Sequence, residues 1–221
     1  WSQVMFIQAQ SAEFEDLLKT SALALDYFPL NPLFYYFNGV SNSRLEIHDN
    51  AITSFKNGLD FIINNQELLI EINLSLADSY HKTDQHELSD KHFEKVLSLE
   101  PENTIVLNNY AYYLSLRKIN LQKAKIMSFR CNELEPKNST YQDTYAWVLY
   151  QLEDYKNAKV WLEKALNNGG DLSPVIIEHY GDVLYKLGDK DAAKKQWKKA
   201  LDLGEAGPFL YKKVNEGIFY E

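Results

Sequence analysis

The stretches Tyr145–Leu166, YAWVLYQLEDYKNAKVWLEKAL, and Tyr180–Leu201, YGDVLYKLGDKDAAKKQWKKAL, decide the fold. In register they lie 35 residues apart: Tyr145 meets Tyr180, Ala146 meets Gly181, Ala158 meets Ala193, and Ala165 meets Ala200. Two earlier segments follow the same pattern. One ladder of small residues reads Ala77, Ala111, Ala146 and Gly181, and a second reads Ser89, Ala124, Ala158 and Ala193. Bulky residues flank the first ladder, at Leu76, Tyr110, Tyr145 and Tyr180, then at Tyr80, Leu114, Leu149 and Leu184. Such self-similarity marks a repeat architecture.

Within each repeat the spacing is helical. Leu76, Ala77 and Tyr80 share one face, as do Ser89, Phe93 and Val96. Polar turns such as HKTDQHE and KLGDKD separate the two helices. Small residues let helices approach closely, and large ones fill the space beside the crossing. Breakers at Pro101, Pro136 and Gly170 end successive units. One helix pair cannot bury its own apolar face, so neighbours must stack. The unit from Thr104 carries one extra residue near Ile119 to Gln122, expected in its inter-helix turn. The first third is more degenerate. Gly39, Ala51, Phe55 and Gly58 keep the ladder spacing from about Pro32, and Gln66 to Leu69 read as a short insertion. Ala24 and Pro29 fit the end of a still earlier helix pair.

The motifs LADSY, YAYYL and the two opening stretches resemble the tetratricopeptide repeat family, most strongly from Ile70 to about Gly204. The wording of the repeats is similar to tetratricopeptide proteins of Bacteroidetes-type bacteria. The resemblance implies an all-α, right-handed superhelix of antiparallel pairs. The expected divisions are a divergent pair at 1–31, a degenerate unit at 32–69, and repeats at 70–103, 104–138, 139–173 and 174–205. A C-terminal capping helix follows at 206–221, with Phe209, Leu210, Val214 and Ile218 near helical spacing.

Composition agrees with a helical domain and narrows the partners. The 221 residues include only 6 Pro and 9 Gly, and 14% are aromatic. A net charge of −8 argues against nucleic acid, because phosphate binding needs concentrated Lys and Arg. No apolar run approaches the length of a membrane span, so no direct membrane insertion is expected. The single Cys131 permits no internal disulfide. It takes the ladder place of Ala165 and Ala200 and reads as a small core residue. The chain starts at Trp1 and is read as a fragment lacking its N-terminus. On the resemblance, a periplasmic or envelope-associated location is favoured over a cytoplasmic one.

No catalytic constellation, cofactor motif or metal site is expected. His81, His86 and His92 straddle an inter-helix turn and read as solvated, and the Glu178–His179 pair lacks the second His of a zinc-protease helix. The resemblance implies that the first helix of each unit lines a concave groove. Beside the core face of those helices runs a stripe that is both aromatic and acidic: Tyr36, Asp78, Asn108, Tyr112, Asp143, Trp147, Tyr150, Glu178, Asp182 and Tyr185. Aromatics make effective binding anchors, and carboxylates favour a cationic group. The expected function is a non-catalytic scaffold that binds a protein or peptide with basic and apolar side chains. Trp147 and the tyrosines packing between repeats is the rival reading of the stripe. Self-association into a homo-oligomer, or substrate presentation for a larger enzyme or envelope assembly, are the rival functions. A clamp for acidic chaperone tails is not expected. Its places hold Leu74, Asp78, Asn109, Thr140 and Thr144, of which only the Asn fits.

Overall fold

The computed structural model describes residues 1–204 and 207–220. The boundary drawn between the last repeat and the cap, at Glu205 and Ala206, lies outside the described residues, as does the final Glu221. Every regular element among the described residues is a helix, and none is long and apolar enough to cross a membrane. The chain divides into two compact units, Trp1–Val106 and Leu107–Glu221.

The first unit contains α1 (Ser2–Gln10), α2 (Phe14–Tyr27), α3 (Pro32–Arg44), α4 (His48–Leu59), α5 (Gln66–Lys82) and α6 (His86–Leu99). Met5, Leu17, Ala24, Phe34 and Phe37 form one of its clusters, and Ala51, Phe55, Leu68, Ile72 and Leu76 another. Phe55 is fully buried because Gly39 leaves room for its ring. Burying such a side chain is worth about 1.5–3 kcal/mol. The residues read as an insertion, Gln66 to Leu69, instead form the first turn of α5. The Asn65 side chain caps that helix by accepting from the Leu68 N–H at 3.0 Å, and Leu68 joins the core.

The division between units falls within α7 (Thr104–Leu116). The second unit continues with α8 (Leu121–Leu134), α9 (Ser139–Gln151), α10 (Tyr155–Asn167), a 3₁₀ turn (Gly170–Leu172), α11 (Pro174–Lys186), α12 (Lys190–Leu203) and α13 (Leu210–Glu216). Ala146, Ala158, Leu162 and Ala165 are fully buried where α9 meets α10, and Gly181, Ala193 and Trp197 mark the crossing of α11 with α12. Asn138 and Ser173 cap α9 and α11, while Asp154 and Asp189 cap α10 and α12. Each accepts a backbone N–H that the helix start leaves without an intrahelical partner. Helix α13 ends at Glu216, where Gly217 turns left-handed at φ 66°. Ile218, read as part of its apolar face, therefore lies beyond the helix and is exposed.

One turn geometry recurs. Five pairs are closed by three residues with a left-handed middle residue: Ala12, Glu46, Asp84, Glu153 and Gly188. The turn after α7 is one residue longer and has two such positions, Lys118 and Asn120. In all six turns the residue after the first left-handed one donates its N–H to a carbonyl five residues back, as in Gln85 to Tyr80 at 2.8 Å and Ile119 to Leu114 at 3.2 Å. This is the Schellman closure, which satisfies carbonyls left open at a helix end.

Candidate binding site on the C-terminal unit

In the second unit the acidic and aromatic stripe lies largely beneath other side chains. Asp143, Trp147 and Tyr150 from α9 are buried, as are Glu178 and Asp182 from α11. His179 follows Glu178 in sequence and points back to α9, where its Nδ1 lies 2.9 Å from Asp143 Oδ1. Its ring stacks on Trp147 at 4.1 Å, and Trp147 stacks on Tyr150 at 4.6 Å with planes 4° apart. Three flat rings thus pile up along α9 and α11. Burial alone would lower the His179 pKa. Asp143, with Asp182 and Glu178 behind it, outweighs burial and raises it.

The C-terminal segment completes the site. Lys213, on the inward face of α13, extends its ammonium to Glu178 Oε1 at 2.8 Å and to both Asp182 oxygens at 2.8 and 2.7 Å. Only 5% of its side chain is exposed, which for a lysine requires such partners. Trp197 Nε1 donates to Asp182 Oδ1 at 2.8 Å, and the Gly207 N–H donates to Glu178 Oε2. A side chain at Gly207 would begin 2.8 Å from that carboxylate, so a glycine admits the backbone there. Burial pushes the Asp182 carboxyl up to about 6 despite Lys213, so it is mostly ionised at neutral pH. Past Gly217, Phe219 lies 6.4 Å from the Tyr150 ring and 6.1 Å from the Tyr185 ring, with the Lys186 ammonium 4.5 Å from its centroid.

Tyr112 and Tyr185 are half-buried, and burial followed by the Asp143 charge raises the Tyr112 pKa. Asn108 is buried. Its Oδ1 and Trp147 Nε1 have no hydrogen-bond partner among the described residues. In the first unit, Asp78 is half-buried, and Tyr36 lines a hollow of about 420 Å³ with Phe6, Val40, Leu68 and Glu71. Burial and then Glu71 push the Tyr36 hydroxyl up to about 12.

The stripe omitted His179, Lys213 and Phe219. Lys213 had a legible signal: it falls three residues after Leu210 and one before Val214, an inward position on a short apolar helix. A lysine there needs carboxylates. His92, read as solvated, is half-buried. It lies 2.8 Å from Asn73 Oδ1 and stacks on Tyr80, and burial lowers its pKa. Among the described residues no group of three His, Cys, Asp or Glu could hold a metal ion. Cys131 is buried, and that burial pushes its thiol up to about 12.

A tetratricopeptide repeat family model matches residues 70–103, 141–168 and 176–204. No curated protein matches the chain. Among solved structures, the chain is similar to a tetratricopeptide repeat protein from Parabacteroides merdae. The two share 16% identity over 95% of this chain and 80% of that one, with a TM-score of 0.77. A thermophilic tetratricopeptide protein of Thermus thermophilus is 18% identical over 84% of this chain and 98% of its own, with a TM-score of 0.67. A chain of the Cut9–Hcn1 hetero-tetramer of the APC/C aligns over 99% of this chain and 42% of its own at 12% identity, with a TM-score of 0.83. Three helix pairs of the chain thus match the tetratricopeptide repeat by sequence, and solved tetratricopeptide repeat proteins share its fold along nearly its whole length.

Proposed function

We propose that this chain is a non-catalytic adaptor whose C-terminal unit binds a protein segment bearing lysine and aromatic side chains. Tetratricopeptide repeats serve in general as scaffolds for protein–protein interaction and are generally non-catalytic. The observation that carries the finer reading is the seat of Lys213 between Glu178 and Asp182, with Phe219 beside Tyr150 and Tyr185. That surface already holds a lysine and an aromatic ring, so its chemistry suits a partner of the same kind. In the first unit, taken by itself, Tyr36 and Asp78 are the proposed contacts.

The test removes charge and keeps shape. Peptides carrying a Lys and a Phe should bind the intact chain in calorimetry. The Glu178→Gln and Asp182→Asn double variant should lose that binding by about tenfold or more, the effect of one buried charge pair, with helical circular dichroism unchanged. Binding indifferent to replacing the peptide Lys by Glu would sink the reading.

A second reading, self-association, is favoured by α1 in the first unit. Val4, Phe6 and Ile7 are each about half exposed there, an apolar face of the kind that a second copy would cover.

A further inference from the structure

The tail of this chain is built as a ligand for its own α9–α11 surface. Four anchors hold it. The Gly207 N–H reaches Glu178, and Leu210 is buried beside Trp197 and Ala200. Lys213 bridges Glu178 and Asp182, and Phe219 lies at the end of the ring stack formed by Tyr150, Trp147 and His179. Between the last two anchors, Gly217 reverses the chain in the left-handed region. A helix that only shielded the apolar end of the array would need Leu210 and Val214, and no buried lysine. The lysine gives the contact a chemical address, and Phe219 gives it a second one six positions later.

We infer that residues 207–220 act as a tethered competitor, so that a partner gains the α9–α11 surface only by displacing them. The inference rests on the binding reading above and adds its regulation. A tethered segment acts at an effective concentration in the millimolar range for short connections, so casual lysines do not dislodge it. A partner must present the same pair of groups, a lysine followed by an aromatic residue after one helical stretch and a turn, and must bind better than the tail does. Apparent affinity is then reduced by the fraction of molecules in which the tail is seated. Release is local. It exposes two carboxylates and an aromatic face and withdraws Leu210, Val214 and Phe219 from the α11–α12 cluster, while Ala146, Ala158, Leu162 and Ala165 stay packed between α9 and α10.

The probe is a fluorescein-labelled peptide of residues 207–220, GPFLYKKVNEGIFY, followed by polarisation against the full chain. A Lys213→Ala, Phe219→Ala double variant should bind it about tenfold more tightly than the unaltered chain, since its own tail no longer competes. The same peptide with Ala in place of the lysine corresponding to Lys213 should bind neither. Equal affinity for the altered and unaltered chains would overturn the tethered competitor while leaving the binding reading in place. Absence of binding to either chain up to millimolar peptide would overturn both. If the double variant loses helix content, Phe219→Ala alone serves, because that ring lies outside the buried ion cluster.

Discussion

At the scale of single residues, the crossing of α11 with α12 turns on one absent methyl group. A Cβ on Gly181 would sit 2.5 Å from Trp197 Cδ1 and 2.6 Å from its Nε1. The indole cannot swing aside, because its N–H is bonded to Asp182 and the ring is fully buried. Gly181→Ala is expected to destabilise the C-terminal unit by about 1–3 kcal/mol, the usual cost of overpacking, read from the urea midpoint. At Ala146, the equivalent place one repeat earlier, the methyl group is already accommodated. The small-residue ladder was legible because helix crossings impose it. Lys213 was legible only as an inward position on α13; its partners were not, because a Lys-Lys pair normally stays in water, and only the facing Glu178 and Asp182 make its burial tolerable.

Among elements, α9 and α11 are joined by a titrating pair. His179 on α11 meets Asp143 on α9, with Glu178 and Asp182 on its own helix and Lys213 facing them from α13. The folded pKa of His179 is raised above 6.5, so its contribution to stability is complete below that value and is lost as pH rises through the folded value. Asp182 is raised from 3.8 to about 6, and its contribution too is lost with rising pH, between those values. Both act in one direction. The thermal midpoint of the C-terminal unit should fall as pH rises from 3.8 to about 6, and again above 6.5. Asp143→Asn should flatten the part above about pH 6.5, because the main charge and hydrogen bond that offset burial of the imidazole are then gone. An unchanged slope in that variant would contradict the coupling. The sequence placed Asp143, Glu178 and Asp182 on one stripe as positions along helices. Their burial depended on partners from another helix and the tail, which spacing within a repeat does not encode.

For the molecule as a whole, sequence periodicity was enough to give the all-α repeat fold, since every pair repeats the same packing problem. It was weaker where the pattern is diluted, as at Gln66 to Leu69, where an apparent insertion lengthens α5 by a turn. Light scattering separates the two functional readings at this scale. An adaptor should keep the 25.7 kDa mass of one chain across concentration, and association through the α1 face should raise it. Substituting Phe6 and Ile7 by Ser would then restore the single-chain mass.

The buried thiol of Cys131, pushed up to about 12, has a practical corollary. Alkylation needs the thiolate and access to it, and this sulfur offers neither at neutral pH. The chain is therefore chemically silent toward maleimide dyes. A cysteine introduced at Ile218, exposed beside the tail anchor, would become its sole labelling point, and the movement of that segment could be watched in single molecules without removing any native residue from the core.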